Sequence, residues 1–303
     1  MSGAGRGLAA ATLVMAVAGC VPPPADRAAP MPARNAPPQA RPLAPPPPAE
    51  AARFILSGTA RQGAVMLGTA PMGTTGLSLD GAPVGFAPDR RFIIAFDRDA
   101  GPRATLVATL ADGRQATQLF DVAPGDWRLE RLDTVAKTPV PSAEFARRRP
   151  PELAQIKAAR EMRTDAQGWR QHFIWPATGR ISGLFGAQRI YRGEPGAYHG
   201  GVDVAKPTGS PVVAPADGVV ILAAAAPFTL EGNLLMIDHG SGLNSAFLHL
   251  SKIEVNVGDH VRQGQEIGQV GATGRASGPH LHWAMMWQGS RIDPMPLAGE
   301  MGR

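Results

Sequence analysis

The 303 residues suffice for about two domains of ~100–200 residues each, and a mix of 44% hydrophobic with 18% charged residues is that of a chain able to bury a core. Thirty-six glycines and 30 prolines exclude a helical bundle and favour short strands, turns and an extended linker. A net charge of +5 admits an anionic partner, but the one dense basic run, Arg147-Arg148-Arg149, has no interleaved aromatics; it reads as a solvated linker, with no nucleic acid expected.

In chain order, Arg6 precedes an apolar stretch from Leu8 to Ala18 that is shorter than the ~20 residues a membrane span needs. Val17-Ala18-Gly19-Cys20 closes it in the manner of a secretory signal peptide, and the tetrapeptide resembles the bacterial lipobox. Cys20 is the only cysteine, so no intramolecular disulfide exists, and it stands where lipidation requires one. Residues 1–20 are therefore expected to be a lipoprotein signal. By the same resemblance, Val21 in place of Asp favours periplasmic anchoring at the outer membrane. Residues 21–52, rich in Pro and Ala, read as a semi-extended tether.

Residues 53–135 carry short apolar runs at Phe54–Leu56, Ala64–Leu67, Leu77–Leu79, Arg91–Phe96 and Thr105–Leu110, with turn signals at Asp80-Gly81 and Asp112-Gly113. That spacing predicts a small β-sandwich without a catalytic cluster; Asp97 and Asp99 read as a charged loop. Residues 136–172 read as a linker with one helix, Glu152 to Met162, whose apolar stripe is Leu153, Ile156 and Ala159. From 173 to 298 the pattern is β again, with strands expected at Val212-Val213, Gly218–Leu222, Asn233–Ile237, Ser245–Leu250 and His280–Ala284. The fold class is thus mainly β.

All seven histidines follow Gln171. In His199-Gly200-Gly201-Val202-Asp203 an extended backbone puts His199 and Asp203 on one side, and the glycines let the chain pass close to an ion. In His280-Leu281-His282 a strand projects both imidazoles from one face. His199, Asp203 and one histidine of the pair meet the count for a catalytic zinc site, with three protein ligands and one open position. The other histidines are then available for proton transfer or charge stabilisation. His239 reads as a structural turn residue and His260 as exposed, and no role is assigned to His172.

From Phe173 to Leu297 the order of blocks closely resembles the M23 (LytM-type) zinc metallopeptidase family: Trp175-Pro176, Leu184-Phe185-Gly186, the His199–Asp203 motif, Phe247-Leu248-His249-Leu250, Gly271-Ala272-Thr273-Gly274 and Ser277–His282. The resemblance implies an antiparallel β-sheet domain that hydrolyses peptide crosslinks of bacterial peptidoglycan. It implies Zn²⁺ held by His199, Asp203 and His282, with His249 and His280 as catalytic non-ligand histidines. The implied partners are peptidoglycan stem peptides, a membrane reached through the N-terminal lipid, and another cell-wall hydrolase or a component of the division machinery. Phe247 stands where tyrosine is common, and Ala284 where an acidic residue often follows the histidine pair. A non-catalytic activator of another cell-wall hydrolase is the alternative, although such proteins typically lose ligands that are intact here. A biotinyl or lipoyl carrier fails because neither Lys206 nor Lys252 lies in a carrier-like turn.

Overall fold

The computed structural model describes residues 52–134 and 142–302; the expected signal peptide, Cys20 and the tether up to Ala51 lie outside the described residues. Strands β1 (Ile55–Ser57), β2 (Val65–Thr69), β3 (Thr74–Leu79), β4 (Ala82–Pro83), β5 (Arg91–Ala95), β6 (Arg103–Leu110) and β7 (Gln115–Asp121) form two antiparallel sheets, ordered β1-β2-β5 and β4-β3-β6-β7. Burial alternates along β6, so Ala104, Leu106, Ala108 and Leu110 face inward. The two inner faces meet where Phe96 and Phe120 pack edge to face, 5.6 Å apart, which makes this the expected sandwich. Both expected turns are present: Leu79 pairs with Ala82 across Asp80-Gly81, and Asp112-Gly113 joins β6 to β7.

After β8 (Leu129–Leu132) comes helix α1 (Ala143–Glu161), longer at its start than the expected Glu152–Met162. Ser142 caps it, its Oγ accepting the Phe145 N–H at 3.2 Å. Pro150 and Pro151 inside the helix remove two backbone donors, which reads locally as a break. Side-chain anchors to one loop hold the helix together across them. Arg148 donates to the Pro227 carbonyl at 2.8 Å, Arg149 grips Glu231 at 2.6 and 2.8 Å, and Glu152 accepts the Thr229 N–H at 2.8 Å. The run Arg147–Arg149 is therefore part of a docked helix, not a solvated linker. The inward stripe also differs from expectation. Ile156 and Ala159 are buried, but Leu153 is 48% exposed and Glu152 is buried instead, its carboxylate satisfied by Thr229 and Arg149.

A short 3₁₀ turn at Gly168–Arg170 buries Trp169 in the core. The remainder is β: β9 (Arg180–Gly183), β10 (Gln188–Tyr191), β11 (Glu194–Tyr198), β12 (Val202–Ala205), β13 (Pro211–Val213), β14 (Gly218–Ala223), β15 (Asn233–Gly240), β16 (Leu243–Leu250), β17 (Lys252–Ile253), β18 (His260–Val261), β19 (Glu266–Gln269), β20 (His280–Trp287) and β21 (Ser290–Ile292), then α2 (Met295–Ala298). The principal sheet runs β18-β14-β15-β16-β20-β12-β9, with β21 on the far half of β20. Two smaller sheets, β13-β19-β17 and β11-β10-β8, flank it; in the latter β8 pairs in parallel with β10.

Alternation along β20 divides it into two chemistries. Leu281, Trp283, Met285 and Trp287 are buried in the main core, while His280, His282, Ala284 and Met286 line a groove on the opposite face. The sandwich is tied to this region beside the groove. The Arg291 N–H donates to Asp97 Oδ2 at 2.8 Å, and buried Arg98 donates to the Gly186 carbonyl at 3.0 Å. Asp97 thus serves as an anchor within its charged loop.

Candidate metal centre

Strand register assembles the site. In the antiparallel pair β12–β20, Asp203 lies opposite His282, and in β16–β20, Leu248 lies opposite His282. His199, four residues before Asp203, lies in the irregular stretch between β11 and β12, and with a bend at Gly201 its ring meets the same point, a departure from the extended backbone expected there. His199 Nε2 is 3.0 Å from Asp203 Oδ1 and 3.0 Å from His282 Nδ1, and His282 Nδ1 is 2.8 Å from Asp203 Oδ1. One donor atom from each of the three residues lies within 4.8 Å of the others. His280 is set further back, its Nε2 3.8 Å from Asp203 Oδ1. Register thereby selects His282 from the histidine pair as the one facing His199 and Asp203.

On its backbone side the cluster is tightly enclosed. A Cβ on Gly183 would come within 2.3 Å of Asp203 Oδ2, and one on Gly201 within 2.8 Å of His282 Nε2 and 2.4 Å of the Trp283 carbonyl. Both positions therefore require glycine for close approach. His199 Nδ1 lies 2.9 Å from the Leu184 carbonyl, which assigns the hydrogen to Nδ1 and leaves Nε2 a bare acceptor. Without an ion, His282 Nδ1–H can donate to Asp203 Oδ1, whereas a cation placed among the three atoms would take a lone pair from each. Burial draws His199 down, but hydrogen bonding and charge attraction from Asp203 outweigh it and raise its pKa above 6.5. Burial likewise pushes Asp203 up, but the two histidines hold it well below the usual carboxylate range. Two imidazole nitrogens and one carboxylate oxygen, with His199 oriented from behind by the Leu184 carbonyl, fit a borderline divalent ion such as zinc.

His249 ends the groove wall beside them. Its ring centroid is 4.8 Å from that of His280 and 6.2 Å from that of His282. Its backbone takes a left-handed φ of 64°, a strained conformation for a non-glycine residue of the kind that clusters at functional sites. The strain is held by the His249 N–H donating to the Glu231 carbonyl at 2.8 Å and by the ring Nδ1 bonding the Thr273 carbonyl at 2.8 Å. His280 is oriented in the same way, its Nδ1 2.8 Å from the Gly278 carbonyl. Each ring thus uses Nδ1–H on the backbone and keeps Nε2 for chemistry. Burial lowers the His249 pKa to about 4, so at neutral pH its ring is uncharged and can accept a proton.

The remaining histidines stand apart. His239 is fully buried at the end of β15, bonded to the Asp217 carbonyl and Ser245 Oγ at 2.8 Å each, which is a structural role. His260 and His172 are exposed. Sequence reasoning did not identify the supports: Leu184, Thr273 and Gly278 act through backbone carbonyls, and a carbonyl carries no residue-type signal. The Leu184-Phe185-Gly186 and Gly271–Gly274 blocks of the resemblance are the nearest sequence pointers to them. The groove itself, about 690 Å³, continues from the histidines over Leu234, Met236, Ala246 and Ala284 to Ile156 and Arg160 of α1.

Comparison with known proteins gives the following. Residues 197–294 match peptidase family M23. The chain is similar to the peptidoglycan DD-endopeptidase ShyA of Vibrio cholerae serotype O1, 41% identical over 117 residues, covering 38% of this chain and 27% of that protein. It is also similar to the DD-carboxypeptidase/endopeptidase Mpg of Neisseria meningitidis serogroup B, 40% identical over 123 residues, covering 39% of this chain and 27% of that protein. This chain therefore spans about a quarter of the length of these two relatives. A crystal structure from Pseudomonas aeruginosa assigned to peptidase M23 superposes with a TM-score of 0.62 at 28% identity, covering 80% of this chain and 96% of that one. That likeness extends well beyond residues 197–294 and so includes the architecture ahead of the site.

Proposed function

Residues 197–294 are a peptidase family M23 domain, and from that premise we propose that the chain is a zinc-dependent endopeptidase acting on the peptide crosslinks of bacterial peptidoglycan. The observation that carries the reading is the convergence of His199, Asp203 and His282 on one point, with His249 and His280 presenting Nε2 to the same groove. Relatives named as peptidoglycan DD-endopeptidases support the substrate class.

Zinc, when bound, supplies a Lewis acid that polarises a carbonyl and lowers the pKa of water. His199, Asp203 and His282 would hold it. The chain's own proton chemistry falls to His249 and His280. A neutral ring with Nδ1–H tied to a carbonyl accepts at Nε2, so either residue can take a proton from the attacking water. Once protonated, Nε2 becomes a donor, able to hydrogen-bond the developing oxyanion or pass the proton to the leaving amine. The glycines at 183 and 201 keep the ligands close, and an apolar strip from Leu248 to Met236 lines one wall of the groove.

The test is release of cleaved crosslinks from purified peptidoglycan with zinc present. Wild type is expected to release them and His282→Ala to release none; equal release by both removes the metal mechanism. We further propose export and membrane anchoring through lipidation at Cys20, supported by the order Arg6, Leu8–Ala18, Gly19-Cys20. Cells fed a labelled fatty acid should label the wild-type chain but not Cys20→Ser, and labelling of both would remove the anchor.

A further inference from the structure

Helix α1 contributes two residues to the groove, Ile156 and Arg160, one turn apart on the same face. Ile156 and Ala159 pack on Leu234, Met236 and Ala246, with Leu248 and Ala284 at the margin, so the helix stands against the floor that leads away from the histidines. Ala284 is two residues along β20 from His282, a displacement of about 7 Å at strand rise. The helix is therefore a fixed wall close to the candidate metal centre, and Arg160 is its charged element.

Arg160 has an unusual environment. Its Nε is buried without a hydrogen-bond partner, and its guanidinium makes no ion pair among the described residues. Two ordinary explanations for an arginine at this place do not apply. At the C-terminal end of the helix it could satisfy the last carbonyls, but Arg163 does that, donating to the Arg160 and Met162 carbonyls at 2.7 and 2.9 Å. It could pair with Glu231 across the groove, but the Glu231 carboxylate is taken up bidentately by Arg149. The other acid lining the groove, Asp203, faces His199 and His282. Arg275 and Arg291 line the same cavity, so it holds three guanidiniums and no uncommitted carboxylate. Burial, reinforced by the charge of Arg291 and only partly offset by that of Glu231, lowers the Arg160 pKa. An unpaired, partly desolvated guanidinium is costly, and a carboxylate is the planar partner its fork matches best.

We propose that Arg160 binds a free carboxylate of the peptide substrate and so makes the enzyme selective for acidic over amidated stem peptides. The proposal rests on the peptidase reading above and names the substrate feature that the α1 side of the groove takes. Arg160 is a specificity-determining residue that contacts substrate away from the reacting atoms.

The test uses the full chain and one pair of probes: a crosslinked stem-peptide dimer with free carboxylates, and the same dimer with those carboxylates converted to carboxamides. Two quantities are measured, kcat/KM on each dimer by zinc-loaded protein and Kd for each dimer with zinc-free protein. Wild type should prefer the acid dimer by about 10- to 100-fold, the range set by one charge-assisted contact. Arg160→Gln should abolish the preference in both measurements while its zinc content stays at the wild-type value and its Tm is not lowered. A wild type that treats the two dimers alike, or an R160Q that keeps the preference, overturns the inference. If zinc-loaded wild type cleaves neither dimer, the peptidase reading fails, and the binding measurement alone then decides the inference by the same criteria. Should R160Q not fold, Arg160→Lys keeps the charge without the fork; a reduced preference is expected, and an unchanged one overturns the proposal.

Discussion

His239 provides a quantitative check on the sheet that carries the site. It is enclosed at the end of β15, with Nδ1 and Nε2 both bonded and the Phe173 ring packed edge-on at 5.0 Å. Burial lowers its pKa from 6.5 to about 4, and the bond to the Asp217 carbonyl offsets only part of that. In the unfolded chain the same imidazole titrates near 6.5, so between pH 6.5 and 4 the unfolded state binds a proton that the folded state refuses. Stability therefore rises with pH through this window and is lost as pH falls through it. The whole displacement corresponds to roughly 3 kcal/mol, and about 2.4 kcal/mol of it falls between pH 7.0 and 4.5. His249 and His282, also lowered by burial, add with the same sign; His199, raised, adds with the opposite sign at pH above 6.5; Asp203 loses its contribution only below 3.8. Comparison with His239→Gln isolates one group, because glutamine can still serve both partners but does not titrate. Urea unfolding with a chelator present, at pH 7.0 and 4.5, should show wild type losing about 2.4 kcal/mol more than the variant. Equal losses in the two proteins would refute the reasoning.

Zinc at a hundred times its Kd should stabilise wild type by about 2.7 kcal/mol, raising Tm by about 5–11 °C for a domain of this size. In a thermal-shift assay that rise should vanish in His199→Ala, Asp203→Ala and His282→Ala and return in none of them on adding more metal. His249→Ala and His280→Ala should keep the zinc-induced rise yet lose about 10²- to 10⁴-fold in kcat/KM, which separates proton transfer from metal binding. Arg149→Met removes the partner of the half-buried Glu231, whose carbonyl holds the His249 N–H. Urea unfolding should show a loss of about 3 kcal/mol, and kcat should fall at unchanged zinc content, with partial recovery in Arg149→Lys.

Much of the site was legible in the residues because it depends on strand alternation, a local property. His280 and His282 share a face since both are on one strand, and the glycines around His199 and Asp203 announce a close approach of backbone to ligands. The apolar runs and Asp-Gly turns likewise located most strands of the sandwich. Other features had no local signal. Spacing alone left His280 and His282 equivalent, and the choice between them came from the pairing of β12 with β20, segments nearly eighty residues apart. The helix expected from Glu152 in fact begins at Ala143 and runs through Pro150-Pro151, and the contacts beside those prolines, to Pro227, Thr229 and Glu231, come from a distant loop. For the same reason Glu152 reads as a surface residue and Leu153 as a core one, and the structure reverses them. A residue's face within its own element follows from backbone geometry, which the sequence encodes locally. Its partner across elements depends on how the whole chain packs, and for this protein that decided which histidine faces His199 and Asp203 and that Arg160 faces the groove without an acidic partner.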